Sequence, residues 1–340
     1  NRIARAAHGR AVMEFGSRRA QGYDGAIYGA RAAYIGGCTS TACTVSDILF
    51  GVPAVGTMAH SWVLTFDSEY EAFKTYAEIY PDNCTLLVDT YNVLKSGMPN
   101  AIKVFDEVVV PKGFRPKGVR IDSGDIAYLS KKIRKQLDEA GLEDCQIVAS
   151  NSFDEYIIKS LIEQGAQIDS FGVGENMIVS KSSPVFGGVY KMSSVIKDNQ
   201  MIPKIKLSEN VEKMTNPGFK DLYRIYDKEN HKALADLMTI HGHPISENED
   251  LTICHPDNVW KKKTLKRGTF VIRDLYEPIF VNGRLVYKVP DLNEIRRYSQ
   301  QELSHLWDEY FRFEYPQVYK VDLTEELLKM KLDLIEEMKH

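Results

Sequence analysis

Six short apolar runs in this sequence give way at their carboxyl ends to residues that could do chemistry. In chain order those ends read Gly37 to Thr41 with Thr39 and Ser40, Thr57 to Ser61 around His60, Asp89 with Thr90, Asp122 to Asp125, Ser150 to Ser152, and Gly172 to Asn176. Hydroxyls, carboxylates, glycines and one imidazole in such a series fit a polar small molecule held beyond the ends of parallel strands. Asp122 and Asp125 lie three apart, with Ser123 and Gly124 between them and Arg120 just before. Paired carboxylates there suit ribose hydroxyls or a Mg²⁺ chelated by a diphosphate, and Arg120 could grip an anionic oxygen through two N–H groups. The plain alternative is a turn in which Asp125 caps the next helix.

Gly172 and Gly174, with Gly187 and Gly188 further on, allow backbone N–H groups to approach a phosphate, and Ser150 and Asn151 add donors. An ordinary turn is the competing reading. His60, beside Thr57 and Ser61, suits a general base or a nucleophile that accepts a phosphoryl group, against a hydrogen-bonded structural histidine. The stretch Glu14 to Arg19 sets Phe15 next to Arg18 and Arg19. A planar aromatic acid could stack on Phe15 while an arginine holds its carboxylate, although a surface arginine pair is the simpler reading. Cys254 and His255, with His241 and His243, have irregular spacing for a zinc site and read better as loop residues.

The elements that must position these residues follow from periodicity. From about residue 30 to 190, short apolar runs alternate with helix-period segments, as in βα units around a parallel sheet. Gly118 to Asp122, Cys145 to Ala149 and Ile168 to Val173 read as strands. Ile126 to Ala140 and Asp154 to Gln164 read as helices stopped by Gly141 and Gly165, residues that accept the left-handed conformation after a helix. Upstream, Ala33 to Gly36, Val52 to Gly56 and Thr85 to Asp89 fit the same scheme, while the chain opens as an amphipathic helix through Ile3, Ala6, Ala7 and Val12. Periodicity leaves a barrel and a doubly wound sheet both open. Beyond about Lys206 the text turns polar and strand-like, with Thr269 to Ile272, Pro278 to Val281 and an Asn282, Gly283 hairpin signal. Asn293 to Phe311 and Thr324 to Met338 read as helices, the latter with Thr324 as N-cap.

A length of 340 residues exceeds one hydrophobic core and predicts a large barrel domain with a smaller unit. No apolar run approaches the roughly 18 residues of a membrane span. The formal charge of −4 carries no domain-wide basic excess for nucleic acid, so Lys261 to Lys263, with Lys266 and Arg267, read as a solvated lysine face. Five scattered cysteines without a CxxC pair fit a reduced, cytoplasmic protein.

Taken together, Glu14 to Gln21, Gly56 to Ser61, Val119 to Asp125, Phe171 to Gly174 and Gly187 to Lys191 resemble nicotinate phosphoribosyltransferase. The resemblance implies a type II phosphoribosyltransferase fold: an irregular, TIM-like α/β barrel packed against a smaller α+β, sandwich-like domain, usually as a dimer with sites near the subunit interface. On this chain that assigns residues 1–205 to the barrel, 206–290 to part of the smaller β-rich domain and 291–340 to C-terminal helices. The implied reaction joins nicotinate and phosphoribosyl diphosphate into nicotinate mononucleotide and diphosphate, the first step of NAD salvage from nicotinate. ATP hydrolysis drives it through a phosphohistidine, which falls on His60, with Asp122 and Asp125 as further catalytic residues.

The resemblance places Phe15, Arg18, Arg19, Thr39, Ser40, Thr57 and Arg120 around nicotinate. It places Asp89, Ser123, Gly124, Ser150, Asn151, Gly172, Gly174, Glu175 and Lys191 around the phosphoribosyl group, with Asp122 toward Mg²⁺. The loop from Thr39 to Thr41 lacks the acid that related nicotinamide enzymes use, which favours nicotinate. Three departures stand out: the chain begins after the family's N-terminal region, Ser17 replaces a common Thr, and Glu175 stands where a phosphate-binding Thr is frequent. An acid at 175 repels a phosphate unless it points away. Turnover of nicotinamide or quinolinate, and a truncated, catalytically silent ligand-binding subunit, are the competing functions.

Overall fold

The computed structural model describes residues 1–209 and 213–338. The chain divides into two compact units, one formed by Asn1–Phe186 with Asp291–Ser299, the other by Gly187–Pro290 with the chain from Gln300 onward.

The first unit is built on six parallel strands: β1 (Ala11–Glu14), β2 (Ser40–Thr41), β3 (Thr85–Leu87), β4 (Gly118–Ile121), β5 (Gln146–Asn151) and β6 (Ser170–Val173). They pair in the order β2-β1-β6-β5-β4-β3. Pairing of the first strand with the sixth brings the chain's ends of the sheet together, so the strands run in cyclic order with one seam, between β2 and β3. That is the arrangement of an irregular α/β barrel, and it removes the doubly wound alternative. The strands are buried as parallel strands require. Leu86, Leu87, Val119, Ile121, Ile147, Ala149, Phe171 and Val173 are all fully inaccessible. Each large side chain of this set contributes about 1.5–3 kcal/mol of hydrophobic free energy.

Local signals in the sequence hold where they are strongest. The helices Ile126–Glu139 and Glu155–Glu163 stop as expected, with Gly141 and Gly165 at φ of 70° and 74°. Three expectations are corrected. Ala33 to Gly36 is the last turn of the helix Gly22–Ile35, because a four-residue apolar run cannot be told from the end of an amphipathic helix by pattern alone. The opening helix ends at Ala6, and Val12 lies in β1. Val52 to Gly56 makes a single bridge beside β2, Thr41 with Ala54, rather than a strand; Pro53 has no N–H for a ladder.

In the second unit β7 (Ser194–Lys197) and β8 (Gln200–Pro203) form a hairpin. A mixed sheet follows, from β9 (Lys220–Asp227), β10 (Ala233–Ile240), β11 (Leu251–Cys254), β12 (Lys262–Leu265) and β13 (Phe270–Asp274), with β16 (Val321–Thr324) inserted in the order β12-β11-β16-β10-β9-β13. The remaining strands β14 (Phe280–Val281) and β15 (Arg284–Leu285) turn through Asn282 and Gly283, both at positive φ, as the sequence predicted. Alternate residues of β10 are buried, the pattern of a sheet with one face on a core. That core is Ile225, Ala235, Leu237, Ile253, Leu265 and Phe270. Thr324 caps the helix Glu325–Glu337 by accepting from the N–H of Leu327. The segment Asn293 to Phe311 is a helix over Leu292–Ser304 followed by a separate 3₁₀ turn. No helix is long and apolar enough to cross a membrane among the described residues.

Candidate active site

At the carboxyl ends of the parallel strands, a cleft of about 550 Å³ is lined by Phe15, Arg18, Arg19, Thr57, His60, Arg120, Asp122, Ser150, Asn151, Gly172, Gly174 and Glu175. These twelve were named from the sequence as site residues; Ala42, Gly56, Met58, Ala59, Leu87 and Ser152 complete the lining. Phe15 follows β1 directly, and its N–H continues the ladder to the carbonyl of Val173 at 2.8 Å. Its ring needs Gly172: a Cβ there would lie 2.6 Å from the ring carbons Cδ2 and Cε2. The absent side chain at 172 therefore seats the aromatic ring.

Arg120 is the hub of the polar network. Its Nε donates to Ser150 Oγ at 2.8 Å, Nη1 to Thr57 Oγ1 at 2.8 Å and Nη2 to Asp122 Oδ1 at 3.3 Å. Its guanidinium carbon lies 5.7 Å from the centre of the Phe15 ring. A guanidinium carries five N–H groups, so two remain beyond these three bonds. Ser150 in turn donates to Asp122 Oδ1 at 2.6 Å, and Asn151 donates to the Asp122 carbonyl at 3.0 Å.

Below this layer sits Asp89, whose side chain is 1% exposed. Its Oδ2 accepts from the N–H of Asp122 and the hydroxyl of Ser123, both at 2.8 Å. Its Oδ1 is buried without a hydrogen-bond partner among the described residues. His60 opens the short helix His60–Leu64 and faces both acids, with Nε2 at 3.8 Å from Asp89 Oδ1 and from Asp122 Oδ2. Its Nδ1 meets the hydroxyl of Thr90 at 3.1 Å. An imidazole set between a hydroxyl and two carboxylates is oriented to act as a nucleophile.

Other sequence-named residues sit elsewhere. Asp125 caps the helix Ile126–Glu139 by accepting from the N–H of Tyr128 at 3.0 Å and does not line the cleft. Ser123 and Gly124 form the turn behind the cleft, with Gly124 at φ 83°. Ser40 is buried in β2, and Thr39 bonds the carbonyl of Val12 at 3.2 Å. Lys191 belongs to the second unit, where its Nζ donates to the carbonyl of Lys213. Glu175 faces the cleft with its charge paired, Oε2 lying 3.5 Å from Arg19 Nε. Of the residues weighed as a zinc set, Cys254 is the buried last residue of β11 rather than a loop residue, and His255 follows it. His241 instead pairs with Asp221 at 2.7 Å.

Sequence reasoning passed over Glu14. It is completely buried, accepting from Thr41 Oγ1 at 2.5 Å and from the N–H of Gly16. Burial pushes its carboxyl above the ordinary value, against the two hydrogen bonds that favour the charged form. Glu14 thus ties the end of β1 to the end of β2 and fixes the loop carrying Phe15. The only signal in the sequence was an acid inside an otherwise apolar strand.

Such a cleft, at the strand ends of an α/β barrel and supplied with an aromatic ring, arginines, a histidine and carboxylates, defines an enzyme-like site for an anionic small molecule. Comparison with known proteins narrows this. Residues 219–331 match the family described as the nicotinate phosphoribosyltransferase C-terminal domain. The chain is 43% identical to a nicotinate phosphoribosyltransferase of Bacillus subtilis over 96% of this chain and 66% of the relative. It is 30% identical to that of Mus musculus over 93% of this chain and 67% of the relative. The crystal structure of human nicotinic acid phosphoribosyltransferase superimposes with a TM-score of 0.78 at 26% identity, over 98% of this chain and 72% of the other. The chain belongs to the nicotinate phosphoribosyltransferase family. It spans about two thirds of the curated relatives' length, just under that share for Bacillus subtilis.

Proposed function

We propose that the cleft transfers a phosphoribosyl group from phosphoribosyl diphosphate to nicotinate, giving nicotinate mononucleotide and diphosphate, with ATP hydrolysis coupled through His60. The observation that carries this reading is the convergence of Phe15, Arg18, Thr57 and Arg120 with His60 and Asp122 on one cleft. Family membership supports it. An aromatic ring with arginines beside it suits a planar aromatic carboxylate, and the loop from Thr39 to Thr41 offers no acid to accept from an amide.

In this reading Phe15 stacks on the pyridine ring while Arg18, Thr57 and the two uncommitted N–H groups of Arg120 hold the carboxylate. The ring nitrogen attacks C1 of the sugar. The N-glycosidic bond forms as the bond from C1 to the diphosphate oxygen breaks, and the diphosphate leaves with the electron pair. Ser150, Asn151 and the backbone at Gly172 and Gly174 bind the 5′-phosphate, with Arg19 balancing the charge of Glu175. An imidazole nitrogen of His60 accepts the terminal phosphoryl of ATP and later yields it to water, giving ADP and phosphate.

Asp122 and Asp89 fit Mg²⁺ carried in with the diphosphate, because the donors are hard oxygens and Asp89 Oδ1 is buried and unpartnered. When bound, the ion supplies neutralisation of the diphosphate charge. The reading extends to a homodimer in the cytoplasm; five free, buried cysteines accord with a reducing compartment.

A substrate panel tests the proposal: nicotinate, nicotinamide and quinolinate, each with phosphoribosyl diphosphate, with and without ATP. Nicotinate mononucleotide should form fastest, and faster with ATP. Turnover of another base in place of nicotinate overturns the substrate, and no turnover of any base points to the silent ligand-binding subunit. His60→Ala should abolish the ATP stimulation and leave weak ATP-independent synthesis. Intact coupling in that variant removes His60 from the mechanism.

A further inference from the structure

The lysines at 261–263, read from the sequence as a solvated face, converge in the second unit with Lys320 on a cleft of about 610 Å³ that also takes in Trp260, Tyr319 and His255. The loop after β11 and strand β12 form one wall, and the run into β16 forms the other. Lys262 is paired with Glu325 at 2.9 Å. Lys261, Lys263 and Lys320 have no ion pair among the described residues. Of the acids on the cleft, Asp257 pairs with the buried Lys331 at 3.1 Å, and burial pushes the Asp322 carboxyl above its ordinary value against the opposing charges of Lys320 and His255.

Trp260 is 76% exposed, an unusual state for the largest apolar side chain when it stands inside a concavity. Lys261 Nζ lies 5.3 Å from its ring centre, which steadies the indole from one side. Three ammonium groups outside any ion pair among the described residues, beside an open indole face, are complementary to a ligand with several negative charges and a planar ring. The volume is that of a single small ligand. The acidic net charge of the chain disfavours a long nucleic acid.

We propose that this cleft is a second ligand site, distinct from the strand-end cleft, that binds a nucleoside polyphosphate, with the base stacked on Trp260 and the phosphates on Lys261, Lys263 and Lys320. Calorimetric titration of the full chain with a non-hydrolysable ATP analogue tests it, on the parent protein and on Trp260→Ala and Lys263→Ala. Both side chains lie on the surface, and circular dichroism checks that each variant is folded. Each substitution should weaken one class of sites about tenfold, the scale of one lost stacking or charge-assisted contact, and leave any binding at the strand-end cleft unchanged. Adenosine alone and inorganic tripolyphosphate alone should each bind this site at least about tenfold more weakly than the nucleotide. An isotherm unchanged in both variants overturns the proposal. So does tripolyphosphate binding as tightly as the nucleotide, which would make the cleft a mere anion patch, or tighter binding of a single-stranded oligonucleotide.

Discussion

Each unit contains an arginine–carboxylate network on adjacent strands, and the two are finished differently. In the second unit Arg224 grips Asp236 with two bonds, at 2.8 and 3.0 Å, and reaches Glu302 at 2.9 Å. Arg273 takes both oxygens of Glu302, at 2.7 and 2.6 Å, and Tyr319 donates to Asp236 at 2.9 Å. Every carboxylate oxygen there is used. In the strand-end cleft Asp122 Oδ1 accepts two bonds, while Asp122 Oδ2 and Asp89 Oδ1 each lie 3.8 Å from His60 Nε2 and accept no hydrogen bond from the described residues. The chemistry of the side chains is the same. A closed network holds a sheet together; one with acceptors left over, directed at a cleft, keeps capacity for something that arrives.

The largest effect should come from opening the closed network. Arg224→Ala leaves Asp236 and the Arg224 side of Glu302 unpaired and should cost about 3–5 kcal/mol in urea unfolding, the range for removing one partner of a buried pair. Activity per folded molecule should be unchanged. A loss below 1 kcal/mol would erase the contrast. Arg120→Lys, in the open network, should do the reverse. It breaks the fork to Thr57, Ser150 and Asp122, and the KM for nicotinate should rise about thirtyfold, roughly 2 kcal/mol, while the unfolding midpoint barely moves.

A titration separates the networks further. The hydrogen bonds from Arg273 hold the Glu302 carboxyl below its ordinary value. A folded-state pKa below the unfolded one gives stability that is present above the unfolded value of about 4.3 and is lost as pH falls through the folded one. Unfolding of the second unit should therefore become easier in acid, and Glu302→Gln should flatten the stability profile below that pH. An equally steep acid loss in the variant would move the effect elsewhere. Smallest of all, Glu175→Gln removes a half-exposed pair with Arg19 and should change stability by no more than about 0.5 kcal/mol. If it lowers the KM for phosphoribosyl diphosphate, Glu175 opposes the phosphate despite its partner.

Much of the cleft was legible because strand ends and glycine stops are local. Phe15, Asp122, Ser150 and Gly172 could be picked out one strand at a time, since a parallel α/β unit delivers the carboxyl end of each strand to the same end of the sheet, whereas His60 reaches the cleft from a segment that makes only a bridge. Misreadings came where locality fails. Ala33 to Gly36 looked like a strand because its helix partners lie outside the run. For Asp125 the capping alternative the sequence offered is the one its side chain adopts, accepting from an N–H three residues into its own helix. Glu14 was passed over because nothing near it in the chain marks it as buried.

What the sequence determined alone was the alternation of elements, the points where they stop and the residue types at their ends, all governed by backbone conformations within a few residues. Which of those residues act together was decided only in three dimensions. Arg120 meets Thr57, 63 residues away, and Asp89 meets Ser123, 34 residues away. Whether a carboxylate is used up or left open depends on such distant partners and on the exclusion of water around them. Neither the partner nor the dryness is written in any local stretch of chain.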